Sequence, residues 1–161
     1  MNELVGELSK LSIKENLNDA EELLEKLLTA SPDTCASIEI KDTFLDLLSR
    51  NTPSINVLVI KNIAEITKNV EQRSKFSNSD ILEKLMEMLE SSLKRRDIDM
   101  IIQLCRALGN IFFSNDDSRN IIFHHDGGAA LVKLFDIRND ELKSVEELHT
   151  FSKVRSGVTS N

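Results

Sequence analysis

The feature that most constrains this fold is a stretch from Asp97 to Phe135 that cannot bury its own apolar surface. A long amphipathic helix carries Arg106-Ala107-Leu108-Gly109-Asn110-Ile111. A polar break at Ser114-Asn115-Asp116-Asp117 follows, and then a short apolar segment of Ile121, Ile122 and Phe123. After a turn at Gly127-Gly128 a further helix carries Ala129-Ala130-Leu131-Val132-Lys133-Leu134. Long helix, short helix, double glycine and medium helix make one supersecondary unit that needs copies of itself above and below.

The remainder of the chain supplies those copies. Leu4, Val5, Leu8 and Leu11 recur at helical spacing and give a short opening helix. Asn18, with Glu21 three residues on, reads as the N-cap and capping box of a helix bearing Leu23, Leu24, Leu27 and Leu28, which stops at Ser31-Pro32. A short helix through Cys35 and Ile38 comes next, and Asp42 starts another with Phe44, Leu45, Leu47 and Leu48. Asn51-Thr52-Pro53 is a break, and Pro53 or Ser54 opens a longer helix whose apolar stripe is Val57, Ile60, Ile63, Ala64 and Ile66. A short segment from Val70 to Phe76 leads to Ser77-Asn78-Ser79-Asp80, a cap for the helix of Ile81, Leu82, Leu85, Met86 and Leu89.

Laid side by side, Leu24 and Leu27 correspond to Ile63 and Ile66, and those to Leu108 and Ile111, at offsets of about 39 and 45 residues. Two- and three-helix repeats run at roughly 40–47 residues. The expected architecture is therefore all-α, a superhelical stack of three-helix units within a single domain, 1–161. A partial first repeat occupies about 1–31, a near-complete repeat about 33–69 and another about 70–114, and a truncated last repeat runs from about 116 to 161. Lys143 to Asn161 reads as another long helix whose pattern is cut without a polar cap, which suggests a piece of a longer array.

Composition narrows the function. A net charge of −7 disfavours a nucleic-acid-binding face and suits a partner with a basic patch, though solubility alone explains such a charge. Cys35 and Cys105 are no disulfide framework and point to a reducing compartment. No apolar run approaches the roughly 18 residues that a spanning helix needs, and no signal sequence opens the chain. His124-His125-Asp126 has a metal-site flavour, but adjacent helical residues point about 100° apart and no third ligand is spaced nearby. Cys105 reads as a buried structural thiol, and Gly127-Gly128 as a turn without the Lys-Ser/Thr of a phosphate loop. No cofactor, metal or catalytic constellation is expected.

The helix order, the string Gly128-Ala129-Ala130-Leu131-Val132-Lys133-Leu134-Phe135 and the helix end Ala107-Leu108-Gly109-Asn110-Ile111 resemble armadillo repeats. Ile63-Ala64-Glu65-Ile66-Thr67-Lys68-Asn69 and Gln103 through Ile111 are similar, more narrowly, to the N-terminal repeats of the small-GTPase GDP dissociation stimulators. The resemblance implies an armadillo-type right-handed α-solenoid that binds Rho- and Ras-type GTPases with basic, prenylated tails. It further implies promotion of GDP release, chaperoning of the GTPase, and a cytoplasmic protein that visits the membranes where its partners reside. In such proteins the main GTPase contacts fall largely in later repeats.

The resemblance also implies which residues line the groove. In peptide-binding armadillo arrays the third helix carries a Trp and, four residues later, an Asn on one face. Here the Trp positions read Glu22, Lys61 and Arg106, and the Asn positions Lys26, Glu65 and Asn110, with Gly157 and Asn161 next in line. The absence of Trp speaks against binding of extended nuclear-import peptides. Arg106 and Asn110 are the best groove candidates, with Lys61 and Glu65 weaker, and each could equally be a solvated face; Lys61 and Glu65 could form a helical pair. Glu83, Glu87 and Glu90 share a helix and could offer a negative face to a basic tail, or be solvated. Lys94-Arg95-Arg96 suits the C-terminus of its helix and is too short for a nucleic-acid patch. The competing reading is an armadillo adaptor that binds a peptide of some other protein.

Overall fold

The computed structural model describes residues 6–7, 17–29, 38–77, 79–113 and 115–124, and these are helical with short connections. The chain divides into two compact units, with the boundary in the sequence between Phe76 and Ser77. The expected opening helix around Leu4–Leu11, the Gly127-Gly128 turn and everything after it lie outside the described residues.

The first unit contains α1 (Leu17–Thr29), α2 (Ile38–Ser49), α3 (Pro53–Ile66), the single turn α4 (Val70–Arg73) and a 3-10 turn at Ser74–Phe76. Helix α3 packs against both α1 and α2. Its buried face, Ile55, Val59, Ile60, Ile63 and Ala64, meets Leu24 and Leu27 of α1 and Phe44, Leu47 and Leu48 of α2 in one apolar core. Each of these larger side chains contributes about 1.5–3 kcal/mol through burial. Phe76 closes the unit, its ring centroid 6.4 Å from that of Phe44.

Three local expectations change in this unit. Helix α1 begins at Leu17, which places Asn18 inside the first turn, and Glu21 accepts a hydrogen bond from Ser54 of α3 rather than closing a capping box. Helix α2 is continuous from Ile38, because Ile40, Phe44, Leu47 and Leu48 all share its buried face. Asp42 is thus an exposed residue in mid-helix, beside Lys41 at 3.6 Å, and not a start signal. On α3, Val57 is half-buried while Ile55 and Val59 are in the core, together with two polar residues, Asn56 and Asn62. Ile60, Ile63, Ala64 and Ile66 of the expected stripe are buried, and Ile55 and Val59 take the place of Val57.

The second unit contains α5 (Ser79–Arg95), α6 (Ile98–Phe112) and α7 (Asp116–His124). Helix α5 packs against α6 and α7, and α6 against α7. Ile81, Leu82, Leu85, Met86 and Leu89 are all buried, as their spacing predicts, against Ile101, Leu104, Ala107, Leu108 and Ile111.

The same joints recur in both units. Asn51 after α2 and Arg96 after α5 take left-handed backbone angles, φ 53° and 56°, 45 positions apart in the chain. Thr52 and Asp97 follow as the N-cap residues of α3 and α6. At the far ends of those helices, Asn69 accepts from the Glu71 N–H at 3.0 Å to cap α4, and Asn115 accepts from the Ser118 N–H at 3.2 Å to cap α7. Leu24, Ile63 and Leu108, aligned by the sequence repeat, are all buried. The spacing in the sequence corresponds to a recurring local geometry.

Candidate partner-binding faces

Each unit presents the outer face of its long helix. Along α3 and the turn after it, the partly exposed positions are Ser54, Val57, Leu58, Lys61, Glu65 and Lys68, at near-helical spacing. Along α6 and its C-cap the same stripe, 45 positions on, is Asp99, Ile102, Gln103, Arg106, Asn110 and Phe113. A cation occupies the middle of each stripe, with a β-branched aliphatic residue one turn before it. Lys61, Glu65, Arg106 and Asn110 are all half-buried, so each is available at the surface yet partly fixed by its neighbours.

The fixing partners are specific. Arg106 Nη1 donates to Gln103 Oε1 at 2.9 Å, a turn earlier on the same helix, which holds the guanidinium along the stripe. Glu65 pairs with Lys68 at 2.5 Å rather than with Lys61. On α1 the corresponding positions, Glu22 and Lys26, form an exposed ion pair at 2.6 Å. That pair lowers the Glu22 carboxyl below its ordinary value and raises Lys26 above its own, through the shared hydrogen bond first and the charges second. The stripe of α1 is therefore polar and self-paired, and those of α3 and α6 are amphipathic.

The acidic candidates lie on α5. Glu83 and Glu87 are exposed, Asp80 is exposed on the same side and Glu90 is half-buried. Lys84 approaches Glu87 at 3.8 Å and neutralises part of the field. The face keeps a net negative charge, which a basic segment would complement.

Sequence reasoning missed two polar supports. Asn62, buried on α3, donates through Nδ2 to the carbonyls of Leu24 at 3.0 Å and Leu58 at 2.9 Å, locking α3 to α1. Arg73 turns back under the C-terminus of α3, donating from Nε to the Thr67 carbonyl at 2.9 Å and from Nη2 to the Lys68 carbonyl at 3.3 Å. Burial lowers the Arg73 guanidinium below its usual value, but helix-end carbonyls are a favourable site for a cation. The position of Asn62, within the run of residues facing α1, was the available signal.

Cys105 is buried and unbridged, inside the packing of α6. Among the described residues no group of three or more His, Cys, Asp or Glu is placed to hold a metal ion, and no helix is long and apolar enough to cross a membrane. His125 and Asp126 lie outside the described residues.

Comparison with known proteins finds two relatives. The whole chain is similar to a Drosophila melanogaster protein named GTPase-GDP dissociation stimulator vimar, with 33% identity over 162 residues covering 100% of this chain and 25% of the relative. A stretch of 70 residues, 44% of this chain, is 34% identical to the Xenopus laevis Rap1 GTPase-GDP dissociation stimulator 1-B and covers 11% of it. No family model matches the chain. No solved structure matches it. The resemblance to the GTPase-GDP dissociation stimulators thus holds from end to end of this chain, which spans about a quarter of the length of the Drosophila relative.

Proposed function

We propose that this chain is a portion of a small-GTPase-binding scaffold of armadillo type, a right-handed solenoid of three-helix repeats with boundaries near 33–69 and 70–114. The observation that carries the reading is the end-to-end similarity to a protein named for stimulating GDP dissociation from a GTPase. The recurring joints at Asn51 and Arg96, and at Asn69 and Asn115, support the repeat reading. The partners are Rho- and Ras-type GTPases with basic, prenylated tails, and the protein acts on them in the cytoplasm as exchange stimulator and chaperone.

The mechanism is differential binding, with no covalent chemistry of the chain's own. A scaffold that holds the nucleotide-free GTPase more tightly than the GDP-bound form pulls the equilibrium toward GDP release by that difference in affinity. Lys61 and Glu65 on α3, and Arg106 and Asn110 on α6, contact the GTPase body. Glu83 and Glu87 on α5 receive the basic tail. The test is binding of a basic-tailed GTPase to wild type and to the Glu83→Gln/Glu87→Gln variant. Affinity should fall several-fold in the variant and fall with salt, since charges beyond about 8 Å are screened at physiological ionic strength. A tail-deleted GTPase should not distinguish the two proteins. Equal loss with and without the tail would refute the assignment of α5.

A further inference from the structure

The basic run at the end of α5 is not used by this reading, and it is unusual in two independent ways. The first is its pairing. Most other cations among the described residues are held by an acid, as Lys26 is by Glu22, Arg50 by Asp46, Lys68 by Glu65 and Lys84 by Glu87. Lys94, Arg95 and Arg96 are consecutive and exposed, and make no ion pair among the described residues, in a chain whose acids outnumber its bases. Glu90 stands four residues before Lys94, at the spacing of a helical pair, and does not take it.

The second is the backbone. Helix α5 ends in a Schellman turn, with the Arg96 N–H donating to the Leu93 carbonyl at 3.3 Å and the Asp97 N–H to the Ser92 carbonyl at 3.0 Å. The residue at its centre must be left-handed, a conformation that favours Gly or Asn and disfavours a long side chain. The first unit places Asn51 at this joint, and the second places Arg96. The dipole of α5 accounts for Lys94 and Arg95 in its last turn, but Arg96 lies past the helix, so a favourable helix end does not explain it.

We propose that Lys94, Arg95 and Arg96 form a docking point for an acidic segment of a partner protein, one that carries closely spaced carboxylates. Guanidinium forks take carboxylates in a bidentate manner, and two adjacent arginines with a lysine offer several such donors at one corner. Asp97 makes no ion pair with the run among the described residues; its Oδ1 accepts from the Met100 N–H at 3.2 Å as the cap of α6. The exposed Asp99 on the α6 side and the glutamates earlier on α5 repel acids and so confine the segment to this corner. Anionic membranes are recognised by clusters of about four to eight basic residues, more than this corner offers. A duplex nucleic acid calls for a wider basic face than this corner offers.

The test is fluorescence anisotropy of a labelled hexaglutamate peptide with the whole chain at low and moderate salt. Saturable binding is expected, weakening with salt and falling by about tenfold or more in Lys94→Gln/Arg95→Gln/Arg96→Asn. Lys26→Gln, which removes an exposed cation from α1, should leave it unchanged. Arg96→Asn supplies a residue suited to the left-handed turn and offsets the loss of two cations from the end of α5, so the triple variant should melt close to wild type, and lost binding is then not lost folding. Equal binding by wild type and triple variant, or no binding by either, overturns the proposal. So does a triple variant that loses affinity for phosphatidylserine vesicles or duplex RNA while wild type ignores hexaglutamate.

Discussion

The Asn62 side chain reaches across from α3 and donates to the backbone carbonyl of Leu24 on α1 at 3.0 Å, through a core where Asn62 itself is only 1% exposed. The bond joins two helices that hydrophobic contact alone would leave free to slide. It also fixes the rotation of α3, and with it the side on which Lys61 and Glu65 emerge.

Replacement of Asn62 should therefore cost more than its size suggests. Asn62→Ala loses the bonds to Leu24 and Leu58 and opens a small gap, for a loss of about 1–3 kcal/mol. Asn62→Asp should be worse, since a carboxylate offers only acceptors to two carbonyl oxygens in a buried site. Urea denaturation would measure both. An Asn62→Asp protein as stable as wild type at neutral pH would show that the bond does not hold α3.

Arg73 supports the other end of α3 through a fork rather than through charge alone. Arg73→Lys keeps the charge but cannot span the carbonyls of Thr67 and Lys68 together, so it should lose about 1 kcal/mol, and Arg73→Ala somewhat more. Amide hydrogen exchange in the last turn of α3 should speed up in both. Full protection in Arg73→Lys would mean that charge suffices.

Ser92 gives a prediction of the opposite sign. Its hydroxyl is fully buried on α5 with no hydrogen-bond partner among the described residues, a position where a polar atom only costs stability. Ser92→Ala should stabilise the protein by about 1 kcal/mol, aided by the better helix propensity of alanine. A lower melting temperature in Ser92→Ala would contradict this.

The Glu22–Lys26 pair sets a pH window. The lowered Glu22 carboxyl contributes stability that is present above its usual value of 4.5 and lost as pH falls through the folded value. The raised Lys26 amine contributes stability that is present below 10.5 and lost as pH rises through its folded value. Between those limits the pair adds no pH dependence. Both groups are fully exposed, so the effect on stability is small and is best read by NMR: in Lys26→Gln the Glu22 carboxyl should titrate closer to its usual value.

These positions also show what the sequence makes legible. Helices α5 and α6 follow from Ile81, Leu82, Leu85, Met86 and Leu89, and from the periodic run through Ile111, because strong amphipathic spacing admits one rotation. The start of α2 does not follow, since Asp42 resembles a cap while Ile40 on the core face carries the helix past it. Asn62 escapes because its two acceptors are backbone carbonyls, one of them 38 residues away. Of the candidate contact residues, the exposure of Glu83 and Glu87 is legible from periodicity. The Gln103 contact that aims Arg106, and the preference of Glu65 for Lys68 over Lys61, are choices among rotamers that spacing does not decide.

The most direct test of the central claim is a titration of the chain against one basic-tailed GTPase in two states, nucleotide-free and GDP-loaded. A scaffold that stimulates GDP release by differential binding must hold the nucleotide-free form more tightly, by about tenfold or more for a useful shift, and Arg106→Ala should narrow the gap. Equal affinity for the two states would contradict the account, because a scaffold that binds both equally shifts nothing however tightly it binds.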